Sequence, residues 1–147
     1  MAGYVLDTSA LLAFIQREPG GEQVLEILGS RVDGELHEPT AAEASGEAPP
    51  VYLPFLSLME CDYQLRRRFG YYESERLLRM LRAWPVELVE SSERWRREAA
   101  RIKAEHSLSL ADAWIAALAL LRSARLVHRD PDYDAIAELE SVRLPDG

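Results

Sequence analysis

Short apolar segments alternate with longer segments of helical character along most of the chain, and this alternation limits the possible folds more than any other feature. The strand-like segments are residues 4–6, 51–56, 86–90, 124–130 and 142–144. Alternation of this kind predicts a parallel sheet with helices on both faces, which is an α/β fold. Because 147 residues fit one such domain, we expect a single domain over residues 1–147.

Residues 32–50 interrupt this pattern. The segment is rich in Glu, Ala, Pro and Gly and poor in large apolar side chains. Such a composition is typical of surface loops. We therefore expect a surface insertion that packs on the domain or forms a small hairpin or helical turn.

Composition and termini favour a cytoplasmic protein with no membrane contact. The longest apolar run, residues 113–121, is far shorter than the roughly 20 residues that a transmembrane helix needs. No basic region followed by an apolar leader opens the chain, so no signal peptide is expected. The lone Cys61 cannot form an internal disulfide, which favours a reducing compartment.

Charge gives two opposing indications about nucleic acid. The formal net charge of −8 argues against a phosphate-rich partner, because such binding depends on neutralising phosphates. Yet Arg66, Arg67 and Arg68 are consecutive, and further arginines crowd residues 94–101. Arginine binds phosphate through paired hydrogen bonds, but charge runs also suit a solvated helix face. The sequence leaves both interpretations open.

Four acidic residues lie where a parallel sheet would bring them together. Asp7 and Asp130 each follow a strand-like segment, whereas Glu60 and Asp112 lie near the starts of helical segments. Ligands of open α/β sheets bind beyond the carboxyl ends of the strands. Mg²⁺ and Mn²⁺ prefer oxygen ligands and offset clustered carboxylates. This pattern is compatible with metal-assisted hydrolysis of phosphodiesters.

Helix capping is the competing interpretation of these acids. Asp112 follows Ser109 by three residues and Glu60 follows Ser57 by three, which is the capping-box pattern. Asp130 also fits an ordinary turn. Against capping alone, Asp112 is the one charged residue of the apolar segment 108–121, and an unpaired buried carboxylate is costly. Composition and periodicity leave both interpretations open.

Four sequence motifs, in order, resemble those of the PIN-domain nucleases. They are YVLDTSALLAFI, FLSLMECDYQL, LSLADAWIAALAL and ARLVHRDPDYDAI, and they extend from residue 4 to residue 136. Two departures stand out. The segment between residues 34 and 50 is longer than compact members need, and His128-Arg129 replaces the usual hydroxyl residue and its neighbour.

The resemblance implies a small α/β domain with an acidic pocket for Mg²⁺, or Mn²⁺ as a substitute. It implies that the metal-binding, catalytic acids are Asp7, Glu60, Asp112 and Asp130. Asp132 matches the second acid of the fourth motif, as a secondary ligand or a structural residue. Thr8 and Ser9 are expected either to orient a carboxylate, water or phosphate or to cap the first helix.

The resemblance further implies a metal-dependent endoribonuclease, in the role of the toxin of a toxin–antitoxin pair. RNA, a small antitoxin protein and a second copy of the chain are then the expected partners, with Arg66 to Arg68 near the RNA backbone. Leu77, Leu78, Leu81 and Trp84 form an apolar face for which core packing is favoured over dimer contact.

Other functions remain as alternatives. A housekeeping RNA-processing nuclease and a non-catalytic binding module on the same fold are both compatible with the chain. A phosphatase of the haloacid dehalogenase type is disfavoured, because it needs Asp-x-Asp after the first strand, where this chain has Asp7-Thr8-Ser9.

Overall fold

A five-stranded sheet forms the centre of the computed structural model, which describes residues 2–29, 38–44 and 49–146. The strands are β1 (Tyr4–Leu6), β2 (Val51–Pro54), β3 (Glu87–Val89), β4 (Arg125–His128) and β5 (Ser141–Arg143). Their order is β3-β2-β1-β4-β5, and every neighbouring pair is parallel. The predicted parallel α/β sheet is therefore confirmed.

Helices connect the strands in the described part of the chain. They are α1 (Thr8–Ile15), α2 (Gly21–Ile27), α3 (Ala41–Ala44), α4 (Phe55–Phe69), α5 (Tyr71–Arg82), α6 (Glu93–Glu105) and α7 (Leu110–Leu121). A 3₁₀ helix, Pro131–Ala135, follows β4. No single helix among these is long and apolar enough to cross a membrane; α6 and α7 reach that length and composition only together, and they meet at a bend of 119°.

Alternation along the strands divides the core into two clusters. In β1, Val5 packs into one cluster and Leu6 into the other, and Leu126 and Val127 of β4 divide in the same way. Successive strand residues point to opposite faces of a sheet. The cluster that contains Leu6 includes α1, α2, α4 and α5, whereas that of Val5 includes α6 and α7. Helices thus cover both faces, as the sequence predicts.

Two helix starts differ from the expectation. Helix α4 begins at Phe55 rather than at Ser57, since Pro54 adopts the extended N-cap conformation and the Phe55 ring packs edge-on against Trp95 and Trp114. In α1 the N-cap residue is Asp7, so neither Thr8 nor Ser9 caps the helix. Both hydroxyl residues lie inside the first turn and are available for other contacts.

The amphipathic face of α5 belongs to the core. The core cluster that contains Leu6 also buries the side chains of Leu77, Leu78, Leu81 and Trp84. The core interpretation of this face is therefore confirmed, and a dimer contact through these side chains is not compatible with their burial.

Part of the 32–50 insertion can be described. Thr40 and Glu43 form a reciprocal capping box at α3, in which the Thr40 N–H donates to Glu43 Oε1 and the Glu43 N–H donates to Thr40 Oγ1. One helical turn, as expected, thus occupies residues 41–44. Residues 32–37 and 45–48 of the insertion lie outside the described residues.

The strand order fixes where a site can form. The chain passes from β1 to β2 and β3 on one side, then returns to β4 and β5 on the other. At such a switch point the loops after two neighbouring strands diverge and leave a crevice beyond their carboxyl ends. Asp7 follows β1 and Arg129 follows β4, so both lie at the crevice.

Candidate active site

Asp7 lies at the centre of the crevice. Its backbone N–H continues the sheet by donating to Val127 O, and its side chain is 5% exposed. The Ser9 hydroxyl donates to Asp7 Oδ2 at 2.8 Å and itself accepts the Arg129 N–H. One serine therefore ties the end of β1 to the segment that follows β4, and it fixes one face of the carboxylate.

Tyr133 joins Asp7 to Asp112. The Tyr133 hydroxyl lies 3.2 Å from Asp7 Oδ1 and 3.0 Å from Asp112 Oδ1. Asp112 lies beside the Tyr133 hydroxyl because α7 starts there: Ser109 is its N-cap residue, and the Ser109 hydroxyl accepts the Asp112 N–H. Ser109 is thus the N-cap of α7, and the Asp112 carboxylate, three residues later, faces the crevice. Capping of α7 and a place in the cleft are therefore compatible, as the sequence left open.

Glu60 lies on α4, which forms the side of the cleft facing α1. Five residues into α4, it lies past the first turn, so it does not form the expected capping box with Ser57. Its carboxylate instead accepts a hydrogen bond of 2.9 Å from the Thr8 hydroxyl. This contact links α1 to α4 and places Glu60 beside Asp7 in the chain's acidic cleft.

The fourth acid is held by its own turn. Asp130 Oδ1 accepts the Asp132 N–H at 2.9 Å, and the Asp130 N–H donates to His128 Nδ1 at 3.0 Å. The buried imidazole of His128 thereby supplies the acceptor for the backbone of the turn. Asp132 is exposed and does not line the cleft.

These residues surround an open cleft of about 400 Å³. Its lining comprises Asp7, Thr8, Ser9, Leu12, Glu60, Gln64, Asp112, Arg129, Asp130 and Pro131. The fold thus brings the four predicted acids to one cavity at the switch point. A cleft of this size admits a phosphodiester with part of its nucleotide.

Burial makes the acidic charges unfavourable without a counter-charge. It raises the pKa of Asp7 from 3.8 to about 6, and the neighbouring Asp112 charge adds to the rise although the Ser9 hydrogen bond opposes it. Burial is also the main cause of a raised pKa at Asp112, opposed by hydrogen bonds from Tyr133 and Ser109. A cation would remove this penalty.

The donor set fits a hard divalent ion held by few protein ligands. No three His, Cys, Asp or Glu side chains of the described residues are gathered as a ready-made ligand set. Asp7 and Asp112 face one another across a single hydroxyl. Mg²⁺ is typically held by one or two carboxylates, with waters and substrate phosphates completing its shell. The Asp7–Asp112 pair is suited to that role.

The arginine cluster of α4 divides into different environments. Arg66 is engaged by Asp62 at 2.8 Å and Glu75 at 3.6 Å, and its guanidinium lies over the Tyr71 ring. Arg67 lies 5.1 Å from the centre of the Tyr63 ring, without an acidic partner in the described part of the chain. Arg68 stacks on Phe69 and donates to Gln16.

Two functional candidates were missed by the sequence reasoning. Tyr133 bridges two acids, and its only sequence signal is its position just after the Asp-x-Asp of the fourth motif. Arg129 is a cation inside the acidic cleft, bound to Glu18 at 3.3 Å and to Pro19 O at 2.5 Å. The sequence signal for Arg129 is its position directly before Asp130, the acid of the fourth motif.

Comparison with known proteins gives one family. The PIN domain model matches residues 4–139, which is nearly the whole chain. A search of curated protein sequences finds no match.

Solved structures give the same fold. DNA-bound VapBC from Salmonella typhimurium has a TM-score of 0.74 and 16% identity, covering 97% of this chain and 98% of the other. VapBC2 from Rickettsia felis, bound to a promoter DNA fragment, has a TM-score of 0.72 and 17% identity over 97% and 98%. VapC20 of Mycobacterium tuberculosis, a toxin that cleaves the sarcin–ricin loop, has a TM-score of 0.63 and 20% identity over 97% and 100%.

Proposed function

The chain belongs to the PIN domain family, and from this premise we propose that it is a metal-dependent endoribonuclease that hydrolyses RNA phosphodiesters. One observation carries the proposal: the facing carboxylates of buried Asp7 and half-buried Asp112 at the switch point, inside a cleft that Glu60 and Asp130 also line. Structural likeness to a toxin that cleaves the sarcin–ricin loop favours RNA as the substrate.

The proposed cofactor is Mg²⁺, with Mn²⁺ as a substitute. Asp7 and Asp112 would hold it, with Glu60 and Asp130 as further ligands. Asp132 does not line the cleft, so we assign it the structural alternative, in which its N–H holds the Asp130 carboxylate. The ion would supply a water nucleophile at neutral pH and offset charge on the phosphate oxygens. The protein's part is to orient the carboxylates: Ser9 and Tyr133 hold Asp7, and Thr8 holds Glu60.

RNA is proposed to enter across α4. Gln64 lines the cleft, and Arg67 follows it by one helical turn, about 5 Å along the axis. The Arg67 guanidinium stacks on the exposed ring of Tyr63, and it has no acidic partner among the described residues. Arg66 contributes less in this proposal, because Asp62 and Glu75 already offset its charge. Arg68 would join Arg67 at the RNA backbone.

The proposed biological role is that of a toxin with an antitoxin partner. Structural neighbours include VapBC toxin–antitoxin assemblies, which supports such a partner. We further propose a homodimer. Since the apolar face of α5 is buried, the exposed side chains of Met59, Phe69, Tyr71 and Tyr72 are better candidates for the contact.

Two alternatives keep the same fold. A housekeeping RNA-processing nuclease would use the same acids without an antitoxin. A non-catalytic binding module would not require them, and the retention of all four in one cleft favours catalysis.

Mn²⁺ calorimetry and RNA cleavage test the proposal together. The wild-type chain should bind Mn²⁺ and cleave RNA, and chelator should stop cleavage. Asp7→Asn and Asp112→Asn should lose both, whereas Asp146→Asn, the same change at an exposed site, should keep both. Cleavage that persists in chelator would refute metal dependence.

Expression in cells separates the toxin role from the housekeeping role. A toxin should arrest growth when it is expressed alone and should be silenced by co-expression of a small neighbouring gene. Unimpaired growth with an RNA-cleaving protein would favour the housekeeping alternative.

A further inference from the structure

A buried tyrosine lies between two acids that come from distant parts of the chain. Tyr133, in the 3₁₀ helix after β4, is 1% exposed. Its ring packs against His128 at 4.7 Å between centroids, and it belongs to the cluster that contains α7. The ring is fixed by packing, so its hydroxyl has a defined position.

That hydroxyl is the direct link between Asp7 and Asp112. It lies within hydrogen-bond distance of Oδ1 of each carboxylate. Asp7 is also held through Oδ2 by Ser9, whereas Asp112 lies in the first turn of α7. Without the hydroxyl, the charges of buried Asp7 and half-buried Asp112 would face each other with no polar group between them, and repulsion would favour rotation of Asp112 away from the pair.

His128 supports the tyrosine from behind. Its Nδ1 accepts the Asp130 N–H, which fixes the turn that leads into the 3₁₀ helix. The same imidazole contacts the Tyr133 ring. His128 thus provides both a turn acceptor and a packing surface for Tyr133.

We propose that Tyr133 is a positioning residue whose hydroxyl holds the carboxylates of Asp7 and Asp112 facing one another for a divalent ion. This inference rests on the metal-dependent function proposed above. Residues that orient metal ligands without binding the metal are worth about 10–100-fold in metal affinity or activity. The role belongs to the hydroxyl rather than to the ring, so a single-atom change isolates it.

Tyr133→Phe tests the hydroxyl, with Tyr52→Phe as the matched control. Tyr52 is half-buried in β2 under Arg122, and in the described residues its hydroxyl contacts none of the acids. In calorimetry, Tyr133→Phe should bind Mn²⁺ about 10–100-fold more weakly than wild type. Tyr52→Phe should bind like wild type. Excess Mn²⁺ should restore most RNA cleavage to Tyr133→Phe, which would not happen if packing were damaged.

Several outcomes would overturn the role. Unchanged or tighter Mn²⁺ binding by Tyr133→Phe would do so while leaving the proposed function intact. A cleavage defect that persists in excess Mn²⁺, with unchanged affinity, would do so as well. A folded wild-type chain that binds no Mn²⁺ would contradict the metal-dependent function and this role together.

A second measurement needs no substitution at the site. In wild-type protein labelled with fluorotyrosine, the ¹⁹F resonance of Tyr133 should shift when Mg²⁺ is added, and that of Tyr52 should not. A Tyr133 resonance that ignores Mg²⁺ while calorimetry records binding would contradict the inference, even if Tyr133→Phe fails to fold.

Discussion

Replacing Asp7 by Asn should stabilise the metal-free protein at neutral pH. Burial raises the pKa of this carboxyl from 3.8 to about 6, so the folded state resists its ionisation. The amide is neutral and can satisfy the same partners, with its oxygen accepting from Ser9 and its nitrogen donating to the Tyr133 oxygen. Tyr133 can then donate to Asp112 without facing a second carboxylate.

The size of the effect follows from the pKa. One pKa unit corresponds to about 1.4 kcal/mol, so the rise to about 6 corresponds to an upper limit of about 3 kcal/mol. The sign follows from proton binding. Between pH 3.8 and about 6 the folded state holds the Asp7 proton more tightly than the unfolded state, so its contribution to stability falls as pH rises. Below this window Asp7 is protonated in both states and the penalty vanishes.

Urea denaturation of wild type and Asp7→Asn in chelator measures this difference. At pH 8 the variant should be more stable by about 1–3 kcal/mol, and at pH 3.5 the two should agree within about 0.5 kcal/mol. Asp146→Asn, at an exposed position, should show no such pH-dependent difference. Taking the difference between chains at each pH removes the contributions of titrating groups that do not interact with Asp7, whereas the Asp112 charge, which interacts with Asp7, remains part of the difference.

Added Mn²⁺ should make wild type more stable than Asp7→Asn, the reverse of the order expected without metal. At a Mn²⁺ concentration about 100 times its dissociation constant, binding should stabilise wild type by about 2.7 kcal/mol and leave Asp7→Asn unchanged. Equal stability of the two metal-free chains at pH 8, or a less stable variant, would refute the reasoning. The Asp7 carboxylate would then be better accommodated than its burial indicates.

Three further substitutions test other parts of the structure. Arg67→Ala should weaken RNA binding and reduce the slope of log affinity against log salt by about 1, whereas Arg125→Ala, at the opposite edge of the sheet, should leave that slope unchanged in a filter-binding titration. Thr8→Val removes the hydroxyl that holds Glu60 and should lower the cleavage rate about 10-fold with a stability change of about 1 kcal/mol or less; wild-type cleavage would contradict that role. Leu118→Ala, in the buried face of α7, should cost about 2–5 kcal/mol of stability by urea denaturation, and a loss below about 1 kcal/mol would mean that the helix is less tightly packed than its burial indicates.

Local sequence signals identified the sheet and the places where its acids lie. Asp7 and Asp130 were located because strands end at apolar-to-polar transitions, which depend only on neighbouring residues. Asp112 was located because a single charge in an apolar helix is conspicuous. The same local rules gave wrong results for Glu60 and for the α1 cap. The capping-box spacing takes no account of Pro54, which starts α4 earlier than the pattern indicates.

The sequence by itself determined the α/β class and the order of the elements, because periodicity and turn residues act over a few positions. For the four acids, these local signals left capping and a site as alternatives, and the resemblance to the PIN-domain motifs favoured the site. Only the tertiary structure decided which side chains meet. Asp7 and Tyr133 are 126 residues apart, and Thr8 and Glu60 are 52 apart, yet each pair is hydrogen-bonded. It also decided that Arg66 meets Glu75 of α5 in addition to Asp62, its neighbour one helical turn away, whereas Arg67 has no acidic partner among the described residues. Such contacts depend on how the packed helices and the sheet orient each rotamer, and no local pattern records that orientation.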